Sequence, residues 1–444
     1  MRLALSTRTP LKKTRSLCPV CKRELDAEVF ESRGEVFLDK RCEAHGRFEV
    51  KLSSDRRFYY DSVGAGGSCC EGGACGPASS DLTLPLIERA ATCIALIELV
   101  ESCNLKCPTC YADSPHHEGD AVKSLSLEEV EQRVASLIAR KGPIDVLQLS
   151  GGEPTIHPRF FDVLGSLLAN RNVRYMLLNT NGVRLANEPE FARRLGELRR
   201  AYGRFELYLQ FDGVGEGGQD ALRGGDLRRV RERAIERAAG EGVPVTLAMT
   251  VTDENLAGLG ETIRFGLARR AIRGITLQPV FGSGRAPEGV KGLVTLGNKS
   301  PPRLNVADIL RALVTQGEGL LCEADFTPLP CGDPNCHTIG YVLRRGDVYI
   351  PASKLVDFRE LQGFLKDRVR FTMEDLARCG CESEPLGETL RAFELGPDAV
   401  FRIFIKPFMD AWTYDQDRID RCCVHVLGEG GKLDSFCRHY ALRD

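Results

Sequence analysis

The chain has 444 residues and 18 cysteines, and its 60 Lys and Arg against 62 Asp and Glu leave a net charge of −2. A chain of this length needs no disulfides to compensate for a small core, so the cysteines point to metal or redox chemistry in a reducing compartment. The balanced charge excludes a nucleic-acid protein that depends on a global basic field, and no apolar run approaches a membrane span.

The opening "MRLALSTRTPLKKTRSLCP" is basic without an apolar signal region, so a cytoplasmic protein is expected. "CPVC" then supplies Cys18 and Cys21, and "CEAH" supplies Cys42 and His45 with the same gap. Two matched knuckles separated by a hairpin-length run suit a zinc or a rubredoxin-like single iron, with Cys69, Cys70 or Cys75 as substitutes for His45. The competing reading is a reduced structural pair. The Gly-rich stretch Ser62 to Asp81 marks a boundary, so an N-terminal metal-knuckle domain is expected over 1–80.

Over 81–320, short apolar runs alternate with helical patterns. The expected strands are "IALIELV" from Ile94, "DVLQL" from Asp145, "RYMLLN" from Arg174, "FELYLQF" from Phe205, "VPVTLAMTV" from Val243 and "GITLQPV" from Gly274. Between the first two, Ser126 and Glu129 form a capping box, Leu127, Val130, Val134, Leu137 and Ile138 share a face, and Gly142 follows. Six βα repeats predict an α/β fold with a parallel sheet closed into a barrel or partial barrel, its chemistry at the C-terminal strand ends.

"SCNLKCPTCYADS" follows the first strand and places Cys103, Cys107 and Cys110 in one loop. Three thiolates can hold three irons of a 4Fe–4S cluster and leave the fourth iron open to a small molecule. Zinc with a distant fourth ligand, or three plain thiols, are the alternatives. "LSGGEPTIHP" ends the second strand, where Gly151 and Gly152 let backbone approach a ligand and the Glu153 carboxylate can meet an ammonium. Strands three to six end in Asn179, Thr180 and Asn181, in Gln210 and Asp212, in Thr250, and in Gln278. Each alone reads as a turn or cap residue, and together they line one rim. Residues 321–444 hold Cys331, Cys336, Cys422, Cys423 and Cys437, enough for an auxiliary cluster, while Cys322, Cys379 and Cys381 read as buried thiols.

The Cys-x3-Cys-x2-Cys loop with GGEP after the next strand resembles the radical S-adenosylmethionine (SAM) superfamily. The resemblance implies a partial (β/α)6 barrel whose open iron binds the amino and carboxylate groups of SAM, and reductive cleavage to a 5′-deoxyadenosyl radical. It assigns Gly151, Gly152, Glu153, Asn179, Gln210 and Thr250 to the SAM pocket and implies an electron donor such as flavodoxin or ferredoxin. One departure is Thr109, where the superfamily often has an aromatic residue before the third cysteine. The order of "CPVC", "KRCEAHG", "ATCIALIELVESCNLKCPTCYA", "PLPCGDPNC" and "CCVHVLGEGGKLDSFC" is similar to the group of archaeal tetraether lipid synthase and class D methyltransferases.

That similarity implies several iron–sulfur clusters beside the rubredoxin-like iron. Cys75 and Cys93 enter as ligands of the cluster nearest the N-terminus, across an insertion that relatives lack, and Cys331, Cys336, Cys422 or Cys423, and Cys437 enter as auxiliary ligands. The reaction expected is hydrogen abstraction from an unactivated carbon followed by C–C bond formation on lipid chains, with Phe281, Trp412 and "FRIFIKPF" suited to an acyl chain and with peripheral membrane contact. The alternatives are one-carbon transfer to a heterocycle and peptide modification. A zinc-knuckle binding module without catalysis is opposed by the intact set of Cys103, Cys107, Cys110 and Glu153.

Overall fold

The structure is a computed structural model that describes residues 8–60, 83–117, 122–286, 300, 302–329, 332–355 and 399–443. Four antiparallel strands in sequence order open it: β1 (Thr9–Leu17), β2 (Glu24–Ser32), β3 (Glu35–Cys42) and β4 (Gly46–Ser53). The β2–β3 turn places Arg33 and Gly34 at φ 56° and 79°, the left-handed pair that a two-residue hairpin favours. Alternate residues of this sheet, among them Val29, Val36, Leu38, Phe48 and Val50, form a small core that Trp412 completes from far along the chain.

The six expected strands follow as β5 (Ile94–Val100), β6 (Ile144–Gly151), β7 (Val173–Thr180), β8 (Phe205–Gln210), β9 (Val245–Val251) and β10 (Ile272–Pro279), each parallel to the next. Their outward residues, such as Leu147, Leu149, Leu207, Leu209, Leu247 and Ile275, join one large core with the buried faces of α1 (Leu127–Lys141), α2 (Phe160–Ala169), α3 (Pro189–Tyr202), α4 (Arg228–Gly240) and α5 (Leu259–Leu267). The Ser126–Glu129 capping box and the Gly142 cap of α1 are both present. A further helix, α6 (Val306–Gln316), packs on α5.

The C-terminal region extends both edges of this sheet. Among its strands are β11 (Phe326–Pro328), β12 (Thr338–Arg345) and β13 (Val348–Pro351). After them come β14 (Val400–Ile405), β15 (Val424–Leu427) and β16 (Leu433–Ser435). β14 pairs parallel to β10 and β15 pairs parallel to β5, so the parallel trough is wider than six strands. A closing helix, α7 (Phe436–Leu442), carries Cys437.

Parallel strands covered on both faces are ordinarily apolar throughout. Here many inward positions are polar: Tyr175, Glu206, Thr246 and Arg402 low in the lumen, and Asn179, Gln210, Thr250 and Gln278 at the strand ends, among apolar neighbours such as Ile94, Val146 and Leu177. Glu206 accepts hydrogen bonds from Tyr175 Oη at 3.1 Å, Thr246 Oγ1 at 3.0 Å and Arg402 Nη2 at 3.2 Å, which satisfies a carboxylate that would otherwise be costly to bury. Among the described residues no helix is long and apolar enough to cross a membrane.

Candidate active site

The cysteine loop leaves β5 after Val100 and is tied at once to the end of β6. Gly152 N donates to Val100 O at 2.9 Å, and Glu153 N donates to Ser102 O at 3.0 Å. A Cβ on Gly151, at φ 120°, would lie 2.1 Å from Val100 O, and one on Gly152 would lie 2.0 Å from Ser102 O. The two glycines therefore admit the backbone of the cysteine segment, where the sequence had suggested the approach of a ligand. On its other side the loop is clamped by residues 281–285: Cys110 N donates to Arg285 O at 2.7 Å, and Arg285 N returns to Cys110 O at 2.9 Å.

Cys103, Cys107 and Cys110 face one cleft together with Gly151, Gly152, Glu153, Asn179, Gln210 and Thr250, so every residue assigned to the open cluster and its cofactor reaches the same space. The cleft runs from the cysteine loop and the strand ends to Lys406, Phe408 and Phe436 of the C-terminal region.

Glu153 is 1% exposed. Its Oε1 accepts from Thr155 Oγ1 at 2.6 Å, Thr180 Oγ1 at 2.8 Å and Thr155 N at 3.2 Å, while Oε2 accepts from Asn181 N at 2.6 Å. A carboxylate has about four lone-pair sites, and the share on Oε2 leaves room for one further donor from the cleft. Burial raises the Glu153 pKa against these bonds. Burial, reinforced by the charge of Glu153, pushes the Cys103 thiol up to about 12, and burial also raises Cys107 against the nearby Arg223. Three thiols that face one cleft beside a buried carboxylate are a donor set for three irons, whose positive charge would stabilise the thiolate forms.

Arg223 was not singled out from the sequence, since "ALRGG" carries no motif. Its guanidinium forks onto Asp212 at 2.6 and 2.8 Å, and Nη2 donates to Thr250 Oγ1 at 3.1 Å. Arg231, 3% exposed, donates to Gln210 Oε1 at 2.6 Å. Asn179 is held by Gln148 at 2.7 Å and by Ser150 at 3.0 Å. The rim residues are thus fixed in place by a surrounding shell of polar groups.

The cleft is also lined by Tyr111, Phe281, Phe408 and Phe436, with Tyr111–Phe436 ring centroids 5.7 Å apart and Phe408–Phe436 centroids 4.5 Å apart. Phe281 lines the cleft as expected, but Trp412 does not: it is 1% exposed and meets Phe48 edge-on at 5.5 Å. In "FRIFIKPF" Phe401, Ile403 and Ile405 join the outer core, whereas Phe404 and Lys406 face the lumen. Lys406 stands where the cleft meets the deeper lumen, and burial lowers its pKa against the charges of Cys423, Cys437, Cys422 and Cys336. These thiols repel one another: Cys336 is pushed up to about 11, chiefly by burial, and Cys422 is raised further by its thiol neighbours. Cys331 and Cys75 lie outside the described residues. Cys93 is buried before β5, and its N–H donates to Cys423 O at 2.9 Å, which sets it beside the C-terminal thiols.

Cys18, Cys21, Cys42 and His45 bring their ligand atoms within 4.8 Å of one another. Both Cys18 Sγ and Cys42 Sγ lie 3.5 Å from His45 Nδ1. Cys3His with one exposed member is a tetrahedral zinc or iron donor set.

Residues 97–266 match the radical SAM superfamily, and residues 10–54 match the HMPTM N-terminal zinc ribbon domain. The chain is 26% identical over 501 residues to 7,8-dihydro-6-hydroxymethylpterin dimethyltransferase of Methanocaldococcus jannaschii, with 97% of this chain and 94% of the relative covered. It is 26% identical over 235 residues to a mycofactocin maturase of Mycobacterium tuberculosis, with 52% of this chain and 54% of that protein covered. Among solved structures, SuiB of Streptococcus suis bound to S-adenosylmethionine is 14% identical and covers 45% of this chain and 40% of its own, with a TM-score of 0.34.

Proposed function

We infer, for a chain whose residues 97–266 match the radical SAM superfamily, an enzyme that transfers a one-carbon unit to a planar heterocycle of the pterin class. The relative aligned along nearly the whole of both chains acts, by its name, on a dihydropterin. The observation that carries the reading is the mixed lining of this cleft. Aromatic rings of Tyr111, Phe281, Phe408 and Phe436 share its lining with the amides of Gln148 and Gln278, the Tyr208 hydroxyl and the Lys406 ammonium. A flat ring with donors and acceptors on its edge uses both surfaces, while a long acyl chain makes no use of the polar ones.

A reduced 4Fe–4S cluster with bound SAM supplies the one-electron chemistry that generates a 5′-deoxyadenosyl radical. Cys103, Cys107 and Cys110 would hold that cluster. Glu153 Oε2 offers the remaining lone pair to the ammonium of SAM, and Asn179, Gln210 and Thr250 form the pocket edge, each already oriented by a neighbour. Cys336, Cys422 or Cys423, and Cys437 would hold an auxiliary cluster behind the aromatic wall, and the ribbon would hold zinc or a single iron.

The test is a fluorescence titration of the reconstituted chain with a pterin. Lys406→Met is expected to weaken binding about tenfold or more, the loss of one charge-assisted hydrogen bond. Pterin affinity equal in both proteins, or absent from the wild type, contradicts the reading.

A further inference from the structure

The three cysteine territories, distant in sequence, meet on one short segment, residues 409–414. From the ribbon side, Lys40 Nζ, on a residue only 3% exposed, donates to Ala411 O at 2.6 Å, Trp412 O at 2.7 Å and Ser16 Oγ at 3.0 Å. Ser16 Oγ in turn donates to Tyr414 O at 2.5 Å. Ser16 and Lys40 each lie two residues before a ribbon ligand, Cys18 and Cys42, so the ligands and these anchors share the ends of β1 and β3. From the C-terminal thiols, Met409 N donates to Cys437 Sγ at 3.4 Å.

From the barrel, Asp410, 1% exposed, accepts from Gly282 N at 2.6 Å and pairs with Arg303. Gly282 belongs to the turn that clamps the cysteine loop. Gly284, at φ 62°, packs so closely there that a Cβ would lie 2.4 Å from Cys110 O, and Arg285 Nε donates to Cys107 O at 3.3 Å.

We propose that the N-terminal ribbon is a positioning element for the cysteine loop, with Lys40 and Asp410 carrying its folded state through residues 409–414 and 280–285 to Cys107 and Cys110. Every link runs to or along backbone, so little side-chain freedom absorbs a displacement. The Lys40 ammonium has three donors and three acceptors here, which leaves none of them spare. Removing it strands two buried carbonyls and unfastens the segment that holds Gly282. A four-stranded ribbon of this size folds around its metal, so loss of the metal unfastens the same segment from the other end. Lys40 and Asp410 touch no reacting atom. They act through the loop.

Amide hydrogen exchange of the full chain tests this without reference to turnover. Lys40→Met is expected to keep its ribbon metal while residues 103–114 and 280–286 exchange about tenfold faster and β6 and β7 remain as in the wild type. Asp410→Asn, which changes no residue of the ribbon itself, is expected to loosen the same two segments while residues 10–54 stay protected. After anaerobic reconstitution, the electron paramagnetic resonance line of the reduced cluster is expected to shift in both variants at unchanged iron content. Loops as protected as the wild type in either variant overturn the proposal, as does acceleration spread equally over β6 and β7. A wild-type chain with no iron–sulfur signal counts against the proposed reaction, and the exchange data still decide this link.

Discussion

Gly152→Ala tests the claim that pairing between the end of β6 and the cysteine loop sets the site. The new Cβ would begin 2.0 Å from Ser102 O, 2.4 Å from Ser102 C and 2.9 Å from Cys103 N, all of them backbone atoms with no soft torsion to yield. Reaching ordinary contact near 3.4 Å requires an opening of about 1.4 Å between the two segments. That opening breaks the bonds from Gly152 N to Val100 O and from Glu153 N to Ser102 O. Two buried hydrogen bonds plus overpacking cost roughly 3 to 6 kcal/mol if the fold resists, and a displacement of this size costs a reaction about a hundredfold. Gly165 in α2 is the control, since a Cβ there meets nothing within 4 Å and a helix favours Ala over Gly by about 1 kcal/mol. Melting temperature, iron per chain and 5′-deoxyadenosine release are measured on both variants. Gly165→Ala should melt at or above the wild type with full activity, and Gly152→Ala should melt several degrees lower with poor cluster loading. Loading and SAM cleavage within twofold of the wild type in Gly152→Ala would refute the reasoning.

Arg223→Leu leaves Asp212 buried without its bidentate partner and should cost about 3 to 5 kcal/mol by urea denaturation, whereas a loss below about 1 kcal/mol contradicts a buried pair. Lys141 Nζ donates to Ile87 O at 2.8 Å and Ala90 O at 2.7 Å, and burial, against Glu88, brings its pKa from 10.5 down to about 8. The folded lysine loses its proton first, so between about pH 8 and 10.5 the unfolded chain binds more protons and this site's contribution to stability rises with pH, by at most about 1.4 kcal/mol per unit. The stability advantage of wild type over Lys141→Met should grow between about pH 7.5 and 9.5, and an advantage constant with pH rules out the shift.

What the sequence made legible was local. Cys18, Cys21, Cys42 and His45 declare themselves by matched gaps inside one sheet, and the six barrel strands declare themselves by short apolar runs separated by α-helical periods. Asn179, Gln210, Thr250 and Gln278 were found because a parallel strand ends where a rim must be. What escaped was decided by contacts between distant segments. β14 and β15 are short runs whose parallel partners lie at opposite edges of the sheet, so nothing near them in sequence marks them as part of the trough. Trp412 looked like a cleft residue because an aromatic side chain reads the same against a ligand as against Phe48. The glycines of GGEP line the cleft, and what the sequence did not show is that they also open space for the carbonyls of Val100 and Ser102. Arg223 and Arg231 are arginines on helical segments, and only packing turns them toward Asp212 and Gln210.

The most direct test of the proposed reaction is product analysis. The chain, reconstituted with iron and sulfide without oxygen and then reduced, is incubated with SAM, 6-hydroxymethyl-7,8-dihydropterin and a macromolecule-free host extract that supplies one-carbon donors, and the products are resolved by mass spectrometry. The account predicts 5′-deoxyadenosine together with a pterin that has gained a methyl group in place of hydrogen, both lost in Cys107→Ala. 5′-Deoxyadenosine released while the pterin returns unchanged, or a product joining two lipid chains with loss of hydrogen, would contradict it.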